Sequence, residues 1–179
     1  MRTAEDILSA ISASRFGEEG SVAYLVEKPE PGVHRSAERV SVQAACGFTG
    51  DHARKSFWKG SEIPGREVTA VSIEALRAMG AAPDLPGDNL ITRGIDLSVL
   101  GPGDQFLIGE VILRRSSANH KPCALFKTRF GDAAFRAAAQ GQRGALFEVE
   151  QGGEVNVGDP IRVVRKLAYA VDQLEETRA

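Results

Sequence analysis

The sequence predicts a mainly β protein whose strands form a closed or nearly closed barrel. Its 19 glycines and 8 prolines fall between short apolar segments, each about as long as one strand. The few predicted helices are short and do not alternate regularly with the strands, which disfavours a doubly wound parallel sheet. Only 6% of the residues are aromatic, so we expect a core built from Val, Ile, Leu and Ala.

Length and charge limit the possible classes of protein. The 179 residues are enough for one domain with a substantial core and too few for two ordinary domains. The formal net charge is -2, which disfavours nucleic-acid binding through bulk electrostatics. No apolar run approaches the roughly 20 residues that span a bilayer, and the acidic N-terminal segment is not typical of a signal peptide. We expect no nucleic-acid partner and no membrane.

The two cysteines, Cys46 and Cys123, do not provide a disulfide framework. A reducing cytoplasm is therefore the expected location, with both thiols free. Cys46 follows an apolar segment, and we expect it to belong to the core.

The hydrophobic pattern places the strands. We predict strands over residues 21–28, 38–45, 66–73, 88–92, 105–108, 111–115, 144–150 and 160–166. Only Gly109 and Glu110 separate the fifth from the sixth, which is compatible with a β-hairpin or with one bent strand. Residues 58–65 are expected to form a loop, and residues 124–130 fit no single pattern.

Capping residues place the helices. We predict helices over residues 3–14, 72–79, 133–140 and 167–178. Thr3 and Asp132 are suitable N-caps, and Gly80 and Gly141 are suitable residues after a helix. The predicted organisation is a helical extension over residues 1–20, a barrel over residues 21–166 and a terminal helix over residues 167–179.

A polar, basic segment around Cys123 is the first candidate functional site. Cys123 follows a predicted strand, and His120 and Lys121 precede it closely in sequence. The thiolate is the reactive form of cysteine, and neighbouring cations favour it. Such a thiol is able to act as a nucleophile, a sulfur carrier or a metal ligand. The alternative is a small buried core residue whose basic neighbours face water.

A glycine-bracketed loop is the second candidate. It runs from Gly47 to His52 and presents the side chains of Asp51 and His52. Polar side chains and open backbone amides in such a loop suit contact with an anion or another ligand. The alternative is a plain turn in which Asp51 bonds to its own backbone.

Several short motifs together resemble a known family. In order they are Gly47-Phe48-Thr49-Gly50-Asp51-His52, Arg66-Glu67-Val68-Thr69, Pro86-Gly87-Asp88-Asn89-Leu90-Ile91-Thr92, Gly94-Ile95-Asp96-Leu97, Gly103-Asp104-Gln105-Phe106-Leu107-Ile108-Gly109, Pro122-Cys123, Gly141-Gln142-Arg143-Gly144 and Gly152-Gly153-Glu154-Val155-Asn156-Val157-Gly158-Asp159. No single motif is specific, but their order and spacing over residues 21–164 resemble the MOSC domain, which is named after the C-terminal region of molybdenum-cofactor sulfurases.

This resemblance implies a closed barrel of mixed strands and a functional role for Cys123, the cysteine of the Pro-Cys pair. In related proteins that cysteine is thought to carry sulfur or to coordinate the molybdenum of a bound cofactor. The amidoxime-reducing relatives reduce N-hydroxylated compounds, and some bacterial stand-alone members are linked to detoxifying N-hydroxylated bases. The implied cofactor is molybdenum cofactor (molybdopterin).

The chemistry of that cofactor indicates which other residues are candidates for contacting it, although each could instead be solvated, paired with an acid or bonded to a backbone turn. The cofactor's phosphate requires cations and its pterin ring requires polar hydrogen-bonding groups. The candidate cations are Arg66, Arg114, His120, Lys121 and Arg143, and the candidate hydrogen-bonding groups are Asp51, His52, Asp88 and Asn89.

The sequence departs from the family pattern at two places. Asp88 stands where the family usually has Glu, which shortens the reach of the carboxylate by one methylene. Lys121 and His120 stand where an arginine often precedes the Pro-Cys pair. Lysine is a point charge, whereas arginine is a planar fork that binds anions through two parallel hydrogen bonds.

The implied partners follow from what the sequence lacks. The pyridoxal phosphate of fused eukaryotic relatives belongs to a desulfurase module that this sequence does not include, so we expect no pyridoxal phosphate here. A sulfur-carrier role requires a cysteine desulfurase or another sulfur donor. A reductase role requires an electron-donor protein, because there is no dinucleotide fingerprint and no iron–sulfur cysteine set.

Two other functions remain open. The first is a module that binds the cofactor or its sulfurated form and delivers it to another protein without turnover. The second is a barrel that keeps the fold and has lost the ligand, since a fold alone does not determine function.

Overall fold

The structure is a computed structural model and describes residues 2–58 and 60–166. The strands are β1 (Glu19–Glu27), β2 (Arg35–Ala37), β3 (Arg39–Gln43), β4 (Gly47–Phe48), β5 (Phe57–Trp58), β6 (Ser61–Glu62), β7 (Val68–Ser72), β8 (Leu90–Arg93), β9 (Gln105–Ile108), β10 (Val111–Arg115), β11 (Ala145–Gln151), β12 (Gly153–Asn156) and β13 (Pro160–Val164). The α-helices are α1 (Ala4–Ser12), α2 (Ile73–Met79) and α3 (Ala124–Ala137). A 3₁₀ turn covers Leu97–Val99, and a π-helical turn covers Ala138–Gln142.

Seven strands close into a barrel in the order β1-β13-β9-β10-β11-β7-β8, and β8 pairs with β1. The pair β7–β8 is parallel, whereas the other pairs around the ring are antiparallel. The strands β12, β3 and β4 form a separate small sheet, and β5 pairs with β6. The predicted fold class, a closed barrel of mixed strands, is confirmed.

The barrel interior is filled by aliphatic side chains and a few phenylalanines. Phe106 and Phe147 are fully buried and their rings lie 4.7 Å apart. In β3 and β13 buried and exposed residues alternate, as the period of two in a strand requires. The alternation that predicts these strands therefore reflects one face packed in the core and one face in solvent.

The helices cover the outside of the barrel. Thr3 caps α1 through a reciprocal capping box with Asp6, as its position in the sequence predicts. Ile7 and Ile11 of α1 then join a second apolar cluster that includes residues of α2, α3 and the outward faces of β7 and β8. Among the helices of residues 2–58 and 60–166, none has the length and apolar character required to cross a membrane.

Several element predictions are resolved by the structure. Segments 105–108 and 111–115 form the hairpin β9–β10 and not one bent strand. Segment 124–130 is helical and continues past a kink at Gly131, whose φ is +83°. The side chain of Asp132 accepts hydrogen bonds from Lys127 and Arg136, so its carboxylate binds cations and not the helix N-terminus. The predicted helix over residues 167–178 lies outside the described residues.

The antiparallel pairing of β10 with β11 brings two parts of the candidate site together. The segment 116–123 leaves the end of β10, and Arg143 precedes the start of β11. The amide of Ser116 donates to the carbonyl oxygen of Leu146 at 2.9 Å, which fixes the base of that segment. Gly144 has a φ of +101°, and a Cβ there would lie 2.0 Å from the oxygen of Ala70. Only glycine permits this close approach beside Arg143.

Candidate functional site

Cys123 is exposed at the rim of a cavity of about 400 Å³. This Cys123 cavity is lined by Ile63, Arg66, Arg143, Leu146 and the segment 119–123. Cys123 is the N-cap of α3, and its side chain makes no capping hydrogen bond. The expectation of a small buried core residue is therefore wrong for Cys123, and its thiol is accessible for chemistry.

An ion pair between Arg143 and Asp88 forms the buried part of the site. Arg143 Nη1 lies 2.5 Å from Asp88 Oδ2, and only 1% of the Asp88 side chain is exposed. The Arg143 guanidinium also lies 5.0 Å from the ring centroid of Phe126, within the range of a cation–π contact. Burial raises the pKa of Asp88, but Arg143 and the other neighbouring cations outweigh burial and hold that pKa below its usual range. Asp88 is thus a buried carboxylate that stays charged.

His120 faces the other oxygen of the same carboxylate. Its Nδ1 lies 3.7 Å from Asp88 Oδ1, which is too far for a hydrogen bond. Both atoms are buried and have no hydrogen-bond partner within the described parts of the chain. Burial and the charge of Arg143 lower the pKa of His120 to about 3, although Asp88 acts in the opposite direction. His120 is therefore neutral at physiological pH.

This buried imidazole predicts a loss of stability in mild acid. Between pH 6.5, the ordinary pKa of histidine, and pH 3 the unfolded chain binds a proton at His120 that the folded chain does not bind. The free energy of unfolding should therefore fall as the pH falls through this window, by at most about 1.4 kcal/mol per pH unit from this group. Urea unfolding between pH 6.5 and 4.5 should show a smaller decrease for His120→Gln than for the wild type. Equal slopes would contradict the assignment.

Arg66 adds a second guanidinium to the cavity wall. Its Nε is buried and has no hydrogen-bond partner among the described residues. Burial lowers the pKa of Arg66, and Asp88 and Cys123 partly oppose that effect. A guanidinium nitrogen without a partner can donate to an incoming anion. Lys121, which is exposed, lies on the same cavity.

The structure brings together six of the ten predicted site residues and places the other four elsewhere. Cys123, Arg66, His120, Lys121 and Arg143 line the Cys123 cavity, and Asp88 lies beneath it, in contact with Arg143. The other four predicted residues, Asp51, His52, Asn89 and Arg114, do not line this cavity.

Asp51 and Asn89 belong to a hydrogen-bonded network in the barrel wall. Asn89 Nδ2 donates to Asp51 Oδ2 at 2.8 Å and to the carbonyl oxygen of Val26, and Asn89 Oδ1 accepts from Lys28 Nζ at 2.8 Å. Asp51 Oδ1 accepts from the backbone amide of Lys28 at 2.7 Å, and Lys55 Nζ lies 3.1 Å from Asp51 Oδ2. The functional groups of both residues are therefore bound within the protein and lie away from the Cys123 cavity.

His52 and Arg114 are also placed elsewhere. His52 Nδ1 accepts from the backbone amide of Arg54 within its own turn. Arg114 is 45% exposed and pairs with Glu148 and Glu150 on the outer surface. Cys46, which the sequence places in the core, is instead exposed in the turn between β3 and β4, so that prediction is wrong as well.

The sequence motifs do not single out Lys28, Lys55 or Arg115. Lys28 follows the apolar strand β1 and precedes a proline, and burial lowers its pKa to about 8. A lysine directly after a buried strand is the signal that points to it. Arg115 ends β10 and lines a second cavity that shares residues 119–122 with the Cys123 cavity.

Fold and site together define a closed mixed β-barrel protein with a thiol at the rim of a cationic cavity. The family model of the MOSC domain matches residues 64–162, which is just over half of the chain. The chain therefore belongs to the MOSC domain family, which is associated with molybdenum-cofactor binding or sulfur-related function.

Solved structures show the same fold. The YuaD protein from Bacillus subtilis is 24% identical with a TM-score of 0.65, and the match covers 81% of this chain and 95% of that one. YiiM from Escherichia coli is 22% identical with a TM-score of 0.58, covering 82% and 71% respectively. YiiM from Geobacillus stearothermophilus is 18% identical with a TM-score of 0.59, covering 85% and 78%. The chain matches no curated protein sequence.

Proposed function

We propose that the Cys123 cavity binds molybdenum cofactor, and that Cys123 is a ligand of the metal or a carrier of sulfur. The observation that carries this proposal is the accessible Cys123 thiol on a cavity whose wall holds Arg143 and the partly unpartnered guanidinium of Arg66. A volume of about 400 Å³ lies within the ordinary range for small-molecule sites.

The donor set of the cavity fits the cofactor's chemistry. Guanidinium groups bind phosphate through charge-assisted hydrogen bonds, and Arg66 lines the cavity with an Nε that has no hydrogen-bond partner among the described residues. A soft thiolate such as that of Cys123 suits molybdenum. No group of three or more His, Cys, Asp or Glu residues in the described parts of the chain is arranged to hold a metal ion, so the remaining ligands would come from the cofactor's own dithiolene.

Each residue then has a defined role. Arg66 and Lys121 hold the phosphate, and Arg143 is kept in place by Asp88 and Phe126. The neutral imidazole of His120 offers a hydrogen bond without adding charge. When bound, molybdenum cofactor supplies two-electron chemistry of the kind that reduces an N–O bond. Each turnover on an N-hydroxylated substrate would take two electrons from a donor protein and two protons from solvent, break the N–O bond, and give the reduced amine or amidine and water.

Exposure of Cys123 also favours a second candidate function, which is sulfur or cofactor delivery. Transfer of sulfur between proteins requires two thiols to meet, and Cys123 is open to solvent. Leu125, two residues later, is 55% exposed and offers apolar surface to a partner. A cysteine desulfurase persulfide would pass its outer sulfur to the Cys123 thiolate, and the donor would leave as a thiol. Mass spectrometry of the protein after incubation with a desulfurase and cysteine should then detect a persulfide on Cys123.

Replacing Arg66 tests the proposed cofactor site. Arg66→Met should retain about tenfold less pterin than the wild type after purification from a host that makes the cofactor, because a charge-assisted hydrogen bond of roughly 1.5 kcal/mol or more is lost. Arg114→Met is the matched control, since Arg114 pairs with glutamates outside the cavity. Equal pterin content in the wild type and both variants would reject the role of Arg66.

A further inference from the structure

A second cavity, of about 490 Å³, adjoins the Cys123 cavity. The two share residues 119–122. Much of the second wall is apolar or small, with Leu97, Leu100, Phe135 and Ala138 among its members. None of the described residues that line it is an Asp or a Glu. We call this space the Arg115 cavity.

Arg115 is half-buried in the wall of this cavity and, like Arg66, has no carboxylate partner among the described residues. Arg143 is paired with Asp88, whereas no salt bridge to Arg115 occurs within the part of the chain that the structure describes. Its Nη1 donates to the carbonyl oxygens of Ser116 and Ala118, and its Nε is buried without a hydrogen-bond partner in the described parts of the chain. Burial lowers the pKa of Arg115 and no neighbouring charge opposes that effect.

A half-buried guanidinium that lacks a carboxylate partner among the described residues is stabilised when an anion binds to it, because burial weakens its hydration. The Nη1 hydrogen bonds already orient the guanidinium, so a bound anion would lose less conformational entropy than at a free surface arginine. Lys121, which is exposed on the same cavity, adds a second cation. The apolar wall around Phe135 suits a flat ring, because aromatic rings pack against one another at low cost.

We propose that the Arg115 cavity binds an aromatic organic anion, with its carboxylate or phosphate monoester at Arg115 and its ring against Phe135 and Ala138. The proposal does not depend on cofactor binding. The cavity is present without a bound cofactor, and Arg115 lacks a carboxylate partner among the described residues. The position of the cavity beside the segment that carries Cys123 would bring such a ligand close to the proposed centre.

Ligand-observed fluorine NMR on the full chain tests the proposal with three probes. These are 4-fluorobenzoate, 4-fluorophenyl phosphate and the neutral amide 4-fluorobenzamide. At least one anion should bind about tenfold or more tightly than the amide, because a hydrogen bond to a charged group contributes roughly 1.5–3 kcal/mol. Comparison of the two anions shows whether carboxylate or phosphate is preferred. Equal binding of all three, or no binding of either anion, would overturn the proposal.

Two variants locate the binding. Ala139→Trp fills the cavity from an exposed position and removes no side-chain hydrogen bond, so it should weaken anion binding about tenfold or more without unfolding the protein. Arg66→Met changes only the Cys123 cavity and should bind the anion as the wild type does. Unchanged binding by Ala139→Trp, or loss of binding in Arg66→Met, would reject this location. Retention of pterin without anion binding would reject this proposal and leave the proposed function intact.

Discussion

Replacement of Arg143 by methionine should lower the free energy of unfolding by about 3–5 kcal/mol. The variant leaves the Asp88 carboxylate buried and without the cation that lies 2.5 Å from it. His120 does not replace the lost ion pair, because its Nδ1 is 3.7 Å from Asp88 Oδ1 and burial, the largest cause of its lowered pKa, persists in the variant. Methionine preserves much of the apolar volume over Phe126, so the decrease in the free energy of unfolding would come mainly from the unpaired charge of Asp88. Urea unfolding at pH 7 measures it.

Two further variants show whether the loss belongs to the ion pair. Arg114→Met removes an exposed arginine that pairs with Glu148 and Glu150, and it should cost no more than about 1 kcal/mol. The double variant Arg143→Met with Asp88→Asn removes both charges and should be more stable than Arg143→Met alone. If the double variant is less stable than the single variant, the buried carboxylate is not the cause of the loss.

Replacement of Cys123 by alanine should remove most of the bound molybdenum while leaving the pterin. The phosphate is held by Arg66 and Lys121 under the proposed function, and neither contact involves the thiol. The thiolate of Cys123 is the soft ligand that this chain offers to the metal within the Cys123 cavity. Metal analysis and pterin fluorescence on the same anaerobic preparation measure the two losses separately.

Cys46→Ala is the matched control for Cys123→Ala. Both cysteines are exposed, but Cys46 lies in the turn between β3 and β4 and does not line the Cys123 cavity. The control should keep both molybdenum and pterin. Equal molybdenum in the two variants would exclude Cys123 as a metal ligand, and a persulfide on Cys123 in the wild type would then support sulfur transfer.

Most strands and helices of the barrel are predictable because alternating apolar residues and capping residues, which are local signals, determine where they begin and end. Strand β13 alternates buried and exposed residues, and α2 begins at the Ser72 cap and ends at Gly80 with a φ of +72°. The helix over 124–130 is not predictable in the same way. Phe126 is buried against the other helices, so tertiary packing and not local pattern decides that segment.

The candidate site is less predictable, because the type of a residue does not reveal which other residues its side chain contacts in the folded chain. Asp88 and Asn89 are adjacent and both polar. Asp88 forms an ion pair with Arg143 below the cavity, whereas Asn89 forms hydrogen bonds with Asp51 and Lys28 in the barrel wall. Arg66 and Arg114 are both arginines near strands, but one lines the cavity and the other pairs with glutamates outside. These differences depend on contacts between residues far apart in sequence.

The molybdenum and pterin content of the wild-type protein tests the central claim most directly. The protein should be purified anaerobically from a host that makes molybdenum cofactor, and both components should be quantified per chain. We expect near-stoichiometric amounts of each, since the Cys123 cavity offers a thiol for the metal and cations for the phosphate. Absence of both from such a preparation would contradict the claim that this cavity holds the cofactor.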